Sequence, residues 1–289
     1  MKKDASTRLW VILAREAPVA AIFRRGSSRH VQLIKWNLET DTFEDGQWFK
    51  GRVYERRCDL SPDGGLLLYF AATYKEPLQS WTAVSKLPWF TALALWPKGD
   101  GWNGGGYFTG LHDIHLDHFS HEAELHPEFA AQGRKLRVSS LADARGEDAP
   151  VWRFTLRRAG WELVCEGEWS GYGDHKGYSW KAAVAETWRR GHPGQSLVLH
   201  MFIEGLNKEN GPWYVTSYRV TDSHDAVVMD LGLADWAEWD ARGDLLFARD
   251  GRLYRQTIGP SPFAEPTLLA DFANRKFEAI AAPEWARTF

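Results

Sequence analysis

Short apolar segments of β type, separated by turn residues, run along the whole chain. Almost no stretch keeps the apolar period of about 3.6 residues that an amphipathic helix shows. Near the start, the pattern predicts four strands, at Leu9–Ala14, Val19–Arg24, Val31–Trp36 and Gln47–Val53. The segment between the last two, Asn37–Gly46, carries an Asp-Gly turn signal. An all-β fold is therefore predicted, and four short strands in about 45 residues match the size of one propeller blade.

Two distant segments share one pattern of turn and strand. Leu60–Tyr69 reads LSPDGGLLLY, and Trp239–Ala248 reads WDARGDLLFA. In both, a turn ends in glycine, at Gly64 and Gly243, and one further residue precedes an apolar strand. The separation of the two glycines fits four units of about 45 residues or three of about 60, within the range of propeller blades. We predict a β-propeller with five blades, and six blades are the alternative.

The turn residues of these segments resemble those of known proteins. Ser61–Gly64, followed by Leu66–Tyr69, resembles the Ser-Pro-Asp-Gly turn that opens the second strand of a blade in many bacterial β-propellers. Ala248–Tyr254 resembles the next hairpin of such a blade. This resemblance implies a fold class and no activity. Gly46–Gly64 and Phe90–Asp100 also resemble an uncharacterised bacterial protein family, which implies no function.

The middle of the chain departs from the blade pattern. The segment His118–Pro150 is polar and charged, and is predicted to be an insertion or a long connection between blades. Strand structure is predicted to resume at Val151–Val164. Three further strands are predicted at Trp180–Arg189, Ser196–Glu204 and Trp213–Val220. Phe277–Ala281 is expected to complete the first blade by pairing with the N-terminal strands, which would remove exposed sheet edges.

The composition is that of an ordinary globular protein. With 289 residues, 44% of them hydrophobic and 25% charged, the chain is neither disordered nor a disulfide scaffold. Closed β folds of this size often form one domain, so residues 1–289 are predicted to be a single domain. The 16 tryptophans are interpreted as filling wedge-shaped β cores, and sugar binding is a weaker alternative. Cys58 and Cys165 are interpreted as buried thiols.

The charge balance and the lack of long apolar runs limit the partners. Thirty-five lysines and arginines against 38 acidic residues give no general positive field, so nucleic acid is not an expected partner. No stretch approaches the roughly 18 apolar residues of a membrane span. The apolar run Leu9–Ala14 is also too short for a secretory signal. We expect a cytoplasmic monomer that does not bind membranes.

A histidine-rich stretch is the one candidate site for metal chemistry. The candidate ligands are His112, Asp113, His115 and His118, because imidazoles with nearby carboxylates suit zinc, nickel, iron or manganese. A bound metal with an open position would activate water. However, a strand would divide these side chains between two faces, and no H-E-x-x-H or paired C-x-x-C motif is present. The favoured interpretation is a polar strand and loop with histidines that face solvent.

Two functional hypotheses follow from these features. The first is a non-catalytic β-propeller that binds or scaffolds protein partners and needs no cofactor, because propeller faces present many loops on a rigid ring. The alternative is a metal-dependent or carboxylate-based hydrolase, similar to glycosidases, with its site at the mouth of the propeller channel and a transition metal as its cofactor in the first case. Its candidate carboxylates lie near predicted strand starts, at Asp59, Asp113, Asp235 and Glu238.

Overall fold

The computed structural model describes residues 7–26, 30–140, 147–169, 178–209, 211–259 and 263–289. Strands that form five sheets dominate these ranges, so the predicted all-β class is confirmed. The chain divides into two compact units. Val11–Thr155 with Lys276–Phe289 form the 11–155 unit, and Met1–Trp10 with Leu156–Arg275 form the 156–275 unit. The single domain over residues 1–289 stays a prediction.

Sheet 1 has the strand order β1-β2-β3-β4. Its strands are β1 (Arg8–Leu13), β2 (Val19–Arg25), β3 (His30–Asn37) and β4 (Thr42–Lys50). The first three coincide with predicted strands to within one or two residues. The fourth begins earlier than predicted, since its polar first half is largely exposed and gives no apolar signal. The turn before it lies at Asp41, with a φ of 51°, and not at Gly46.

Sheet 2 is built around a strand that is buried at every position. Its strands are β5 (Arg52–Val53), β6 (Asp59–Leu60), β7 (Leu66–Ala72), β8 (Ser80–Lys86) and β9 (Ala92–Pro97). β7, β8 and β9 form an antiparallel meander, and β5 and β6 both pair with β7. The turn Ser61–Gly64 joins β6 to β7, with a φ of 71° at Gly64. The backbone N–H of Leu66 donates to Ser61 Oγ at 2.9 Å.

Sheet 3 lies partly within the predicted insertion. The elements here are β10 (Gly106–Phe108), β11 (Asp113–Leu116), α1 (Ala130–Gly133), β12 (Arg137–Ser140) and α2 (Ala149–Arg158). β12 runs parallel to β11, so a segment predicted as an insertion completes a sheet. The strand predicted at Val151–Val164 is wrong for most of its length, because α2 occupies its first part. Val151 and Trp152 are strand-favouring residues, but here they form the buried part of a helix.

Sheets 4 and 5 complete the strand inventory of the described residues. Sheet 4 contains β13 (Glu162–Cys165), β14 (Glu168–Trp169), β15 (Tyr178–Gly191), β16 (Val198–Lys208), β17 (Tyr214–Thr221) and β18 (Val227–Leu233). Sheet 5 contains β19 (Trp236–Trp239), β20 (Leu245–Arg249), β21 (Arg252–Gln256) and β22 (Thr267–Asp271). β15, β16 and β17 confirm the three strands predicted there. In sheet 4 the order is β13-β15-β16-β17-β18, with β14 on β15, and in sheet 5 it is β19-β20-β21-β22.

The two segments that share a sequence pattern occupy equivalent places. The turn that ends at Gly243 joins β19 to β20, as the turn that ends at Gly64 joins β6 to β7. Both glycines have positive φ, 87° and 71°. The sequence pattern therefore reports a real structural repeat.

The C-terminal segment and the cysteines depart from expectation. Phe277–Ala281 forms no strand, so the predicted pairing with the N-terminal strands is wrong. The Phe277 ring instead packs on sheet 1, with its centroid 4.7 Å from that of His30. A side-chain contact of this kind orders the segment without backbone pairing. Cys58 is buried as predicted, but Cys165 is partly exposed.

Tryptophan fills much of the core. Eight of the 16 are buried, which supports the packing interpretation for half of them. They are Trp36, Trp89, Trp96, Trp152, Trp161, Trp188, Trp236 and Trp239. In the ranges that the structure describes, no helix is long and apolar enough to cross a membrane. The cytoplasmic location and the monomeric state stay predictions.

Candidate functional site

His118, one of the predicted metal ligands, is a buried structural histidine of the 11–155 unit. The N–H of Gly105 donates to Thr82 Oγ1 at 2.7 Å, and Thr82 Oγ1 lies 2.8 Å from His118 Nε2. Because a carbonyl can only accept, Nδ1–H donates to the Glu122 carbonyl at 3.0 Å, and Nε2 of the neutral ring accepts from the Thr82 hydroxyl. Burial lowers the pKa of His118. The ring is neutral, and both its nitrogens are engaged within the protein.

His115 belongs to a stack of rings. Its Nδ1 lies 2.7 Å from Ser139 Oγ, and that hydroxyl donates to the Ile114 carbonyl at 3.2 Å. Ser139 has only one hydroxyl proton, so His115 Nδ1 carries the proton of its own hydrogen bond. The His115 ring stacks on Tyr107 at 5.1 Å, and Tyr107 stacks on Phe154 at 3.7 Å. Burial lowers the pKa of His115.

Asp113 and His112 have separate surroundings. Asp113 forms a two-point ion pair with Arg137, in which Nη2 lies 2.6 Å from Oδ2. Hydrogen bonding to Arg137 lowers the pKa of Asp113. The His112 ring lies edge-on to Phe289, at 6.4 Å between centroids.

The structure does not gather the four predicted ligands into one centre. Each has a different set of neighbours, and the described ranges contain no group of three or more histidine, cysteine or acidic side chains placed to hold a metal. Asp113 and His115 share one face of β11, but they have different partners, Arg137 and Ser139, and His112 and His118 lie outside this strand. Metal ligation by these residues stays a prediction.

The other candidate carboxylates are engaged in internal hydrogen bonds. Asp59 Oδ2 accepts from the N–H of Phe108 at 2.8 Å, and Asp235 Oδ2 accepts from the N–H of Leu9 at 3.3 Å. Burial raises the pKa of Asp235 to about 7. These carboxylates connect strands, and neither structural role requires a substrate.

Glu238 has a comparable role in the 156–275 unit. It accepts from the Trp161 indole at 2.8 Å and from the N–H of Trp239 at 3.0 Å, and it forms an ion pair with Arg190. Burial raises its pKa despite these partners. The three donors offset part of the cost of burying this carboxylate.

An open pocket of about 430 Å³ in the 11–155 unit combines basic and apolar walls. Its basic side chains are Lys35, Lys86, Lys135 and His112. Its apolar side chains are Leu66, Leu87, Leu111, Trp285 and Phe289. Of the residues predicted from the sequence as site members, His112 alone lines this pocket.

Two pocket lysines contact the C-terminal segment. Lys86 Nζ donates to the Trp285 carbonyl at 2.8 Å and lies 5.6 Å from the centroid of that ring. Lys135 Nζ donates to the main-chain oxygen of Phe289 at 3.4 Å and lies 5.9 Å from the Phe289 ring. Each ammonium group thus contacts a main-chain oxygen and an aromatic face of the same residue.

The C-terminal wall of the pocket is held by further contacts. Residues Glu284–Arg287 form a 3₁₀ turn, within which Ala286 is buried against Trp89. Gln132 Nε2 donates to the Arg287 carbonyl at 3.4 Å. The wall is therefore attached on both sides of Trp285, although the Trp285 side chain itself is 54% exposed.

The floor of the pocket is the turn between β6 and β7. Asp63, the acidic residue of the lining, accepts from the N–H of Gly65 at 3.0 Å and from Ser61 Oγ at 2.5 Å. Both hydrogen bonds go to Oδ1 of this carboxylate and hold it in the turn. The Ser-Pro-Asp-Gly sequence signalled this turn, but nothing in the sequence signalled that lysines from distant elements surround it.

The electrostatic character of the pocket differs from that of the chain. The whole protein has a formal net charge of −3, whereas the pocket lining has three lysines and one carboxylate. Lys35 has a distant carboxylate partner, with 3.9 Å between Nζ and Glu44 Oε2. The arrangement favours an anionic ligand.

Comparisons with known proteins give no function. No protein-family model and no curated protein matches the chain. The chain is similar to a solved structure, that of an uncharacterized protein from Listeria monocytogenes EGD-e, with 11% identical residues. The similarity covers 95% of this chain and 86% of that one, with a TM-score of 0.31. A similarity at this level carries no argument, so the functional conclusion rests on the residues themselves.

Proposed function

We propose that the protein is a non-catalytic binding module that holds part of a protein partner in the basic pocket. The observation that carries this proposal is the basic lining, which has three lysines and one carboxylate, and in which the Lys86 ammonium group contacts a neutral main-chain carbonyl. A carboxylate is a stronger acceptor for an ammonium group than a neutral carbonyl. A ligand with carboxylates gains this difference when it enters the pocket.

The engagement of the candidate catalytic groups also supports a binding role. His118 uses both its ring nitrogens and His115 its Nδ1 in internal hydrogen bonds, and Asp59 connects two strands. Hydrolysis needs a group that is free to take or give a proton at the substrate. The hydrolase alternative and its metal stay predictions without a supporting contact.

For the fold, we propose a β-propeller whose blades are the five sheets. Support comes from the meander order of sheets 1, 2 and 5 and from the equivalent turns at Gly64 and Gly243. In each unit, moreover, a carboxylate near the start of one sheet, Asp59 in β6 or Asp235 directly before β19, accepts a backbone N–H from the first strand of another sheet. The resemblance of the turns to those of bacterial β-propellers agrees with this proposal. An experimental structure with five sheets around one axis would support it, and a two-layer sandwich would contradict it.

The binding proposal is tested by affinity capture from the native host with matched baits. We expect a protein that is captured by the unaltered chain and by Lys50→Glu, but not by a bait with Lys86→Glu and Lys135→Glu. Lys50 is exposed at the end of β4 and lies outside the pocket lining, so its variant controls for charge alone. The captured protein, once purified, should bind with the same dependence on the two lysines.

A photoreactive residue in place of Leu111, which lines the pocket and is half exposed, should form a crosslink to that same protein. If no captured protein depends on Lys86 and Lys135, the binding proposal is wrong.

A further inference from the structure

We infer that the surface beneath residues 276–289 is a docking site between copies of this chain, on which the same segment of a second copy replaces the chain's own. Residues 276–289 are called the strap, and the surface that they cover is called the seat. The centre of the seat is formed by Trp89, Lys86, Gln132 and Lys135 of the 11–155 unit, to which the strap also belongs. This inference goes beyond the proposed function, because docking of the strap requires no ligand in the basic pocket.

The strap is attached through side chains and not through backbone pairing. Within the described residues, no backbone–backbone hydrogen bond joins residues 276–289 to the rest of the chain. Main-chain oxygens of the strap instead accept from Lys86 Nζ at 2.8 Å, and from Gln132 Nε2 and Lys135 Nζ at 3.4 Å each. Because the strap belongs to no sheet, it can leave the seat and return without disrupting a strand ladder.

Two alanines, four positions apart, are the buried anchors of the strap. Ala282 and Ala286 are 5% and 0% exposed, and both pack in one cluster with Trp89. The larger side chains Phe277 and Trp285 are more than half exposed. The docked strap therefore buries few side-chain atoms, and a larger charged group at either anchor would keep it from the seat.

Two polar atoms of the seat are not satisfied beneath the strap. Trp89 Nε1 and Gln132 Oε1 are buried, and within the described structure neither has a hydrogen-bond partner. Both atoms would be hydrogen-bonded to water if the strap were released, so their burial weakens the closed state. With only two small anchors in addition, the strap should open at a lower free energy than the core of the unit.

A second copy is the occupant that fits, because the fit of this segment to the seat is present within the chain itself. Two copies that exchange straps remake every contact of the closed form, and the cost is the freedom lost on association. The chain passes from the 156–275 unit into the strap between Arg275 and Lys276, and Asn274 and Lys276 are exposed there. Only this connection needs a new path in the exchanged dimer. Because each strap is tethered near its own seat, exchange requires a high protein concentration.

The first test is fluorescence anisotropy with the full chain and a labelled peptide of residues 276–289. In the released variant, Ala282→Glu with Ala286→Glu, the chain's own strap cannot dock, so the seat is open to the peptide. In the control variant, Ala279→Glu with Ala281→Glu, the same charges stand at exposed alanines of the strap, so the seat stays covered. We expect the released variant to bind the peptide at least about tenfold more tightly than the control variant does.

A second peptide locates the contact at the anchors. It carries glutamate at positions 282 and 286, and it should bind the released variant about tenfold more weakly than the unaltered peptide does. Circular dichroism and the urea midpoint establish that both protein variants are folded. Equal binding of the unaltered peptide by the released and control variants would overturn the inference.

Analytical ultracentrifugation tests exchange between whole chains and needs no variant for its main result. At about 1 mM protein, the unaltered chain should contain a dimer that dissociates on dilution. An excess of the unaltered peptide should convert this dimer to monomers, and the peptide with two glutamates should not. The control variant should dimerise like the unaltered chain, and the released variant should stay monomeric. A monomeric unaltered chain at this concentration, or a dimer that the peptide does not affect, would overturn the inference.

The inference and the proposed function fail in different ways. If a protein is captured through Lys86 and Lys135 but the unaltered chain stays monomeric, the exchange of straps is wrong and the binding role stands. If copies exchange straps but no captured protein depends on the two lysines, the proposed function is wrong and the seat serves association between copies of the chain.

Discussion

At the scale of single residues, Asp117 has the least favourable surroundings for a charge in the neighbourhood of the histidine-rich stretch. It is fully buried, and within the described structure neither carboxylate oxygen has a hydrogen-bond partner. Burial raises its pKa to about 7, although the positive charges of Arg57 and Lys98 act in the opposite direction. The sequence showed Asp117 only as one polar residue among many, because burial depends on the packing of distant segments.

The raised pKa of Asp117 predicts a pH-dependent stability. An unfolded aspartate has a pKa of about 3.9, so the folded state holds the proton more tightly. The resulting stabilisation is complete below about pH 4 and is lost as the pH rises through 7. Asp117→Asn removes the titrating carboxyl group and with it this pH dependence. The free energy of unfolding of the variant minus that of the unaltered chain should therefore increase from pH 4 to pH 8. This increase should be at most about 4 kcal/mol.

The measurement is urea unfolding of both proteins at pH 4, 6 and 8. Asp235, whose pKa is also about 7, remains in the variant and keeps part of the pH dependence. The comparison between the two proteins removes this common part. A difference in unfolding free energy that is the same at all three pH values would contradict the assignment.

The histidines of the candidate metal stretch should differ in their effect on stability. His118→Ala removes two buried hydrogen-bonding atoms and leaves Thr82 without its acceptor, so we expect a loss of about 2 to 4 kcal/mol in the free energy of unfolding. His112→Ala, at the open pocket, should cost about 0.5 kcal/mol or less. Urea unfolding of the two variants checks this, and equal losses would show that the internal roles are misassigned.

At the scale of elements, prediction succeeded where a short apolar run is buried along most of its length. Val19–Arg24 and Val31–Trp36 are buried at most positions, so their pattern matched β2 and β3. It failed where a strand is polar and exposed, as in β12 and the first half of β4. It failed also in α2, since the strand propensity of Val151 and its neighbours competed with helical burial. Local sequence does not report which face another element will cover.

The turn between β6 and β7 should be sensitive to side-chain size. At Gly64, with a φ of 71°, an added Cβ would lie 2.9 Å from the Val19 side chain. Gly99 has a φ of 88°, but an added Cβ there would have no heavy atom within 4 Å. Gly99→Ala therefore reports backbone strain alone, about 1 kcal/mol, whereas Gly64→Ala adds a steric clash. We expect Gly64→Ala to destabilise by at least about 1 kcal/mol more.

Urea unfolding of the two alanine variants measures this difference. Because Gly64 also lines the pocket, Gly64→Ala should weaken binding of the protein partner that is captured through Lys86 and Lys135, and Gly99→Ala should not. Equal destabilisation by the two substitutions would mean that the turn adapts to the added methyl group.

At the scale of the whole molecule, the pocket is the feature that could not be predicted from the sequence. Its basic side chains come from β3, β8 and the segment before β12, and its aromatic wall comes from the last residues of the chain. Their positions in the sequence, from Lys35 to Phe289, share no motif or spacing. The histidine stretch was conspicuous because its members are close in sequence, yet each of them has different neighbours in the structure. Proximity in sequence therefore did not identify the residues of the pocket, apart from His112.

The chain path between the two units predicts how the protein unfolds. Domain boundaries usually fall in exposed linkers. Here the chain passes from one unit to the other three times, and two of the passages lie inside regular elements, β1 and α2. Neither unit can lose its structure without disrupting an element that continues into the other. We therefore expect one cooperative thermal transition, with a calorimetric enthalpy equal to the van't Hoff enthalpy.

Differential scanning calorimetry, together with circular dichroism and tryptophan fluorescence on the same sample, tests this expectation. Trp36 lies in the 11–155 unit and Trp188 in the 156–275 unit, so the difference in fluorescence between the unaltered chain and each tryptophan-to-phenylalanine variant reports on one unit. Coincident midpoints from the two variants would support the single domain predicted for residues 1–289. Two resolved transitions would instead mean that β1 and α2 fray at the unit boundary and that the chain contains two domains that unfold independently.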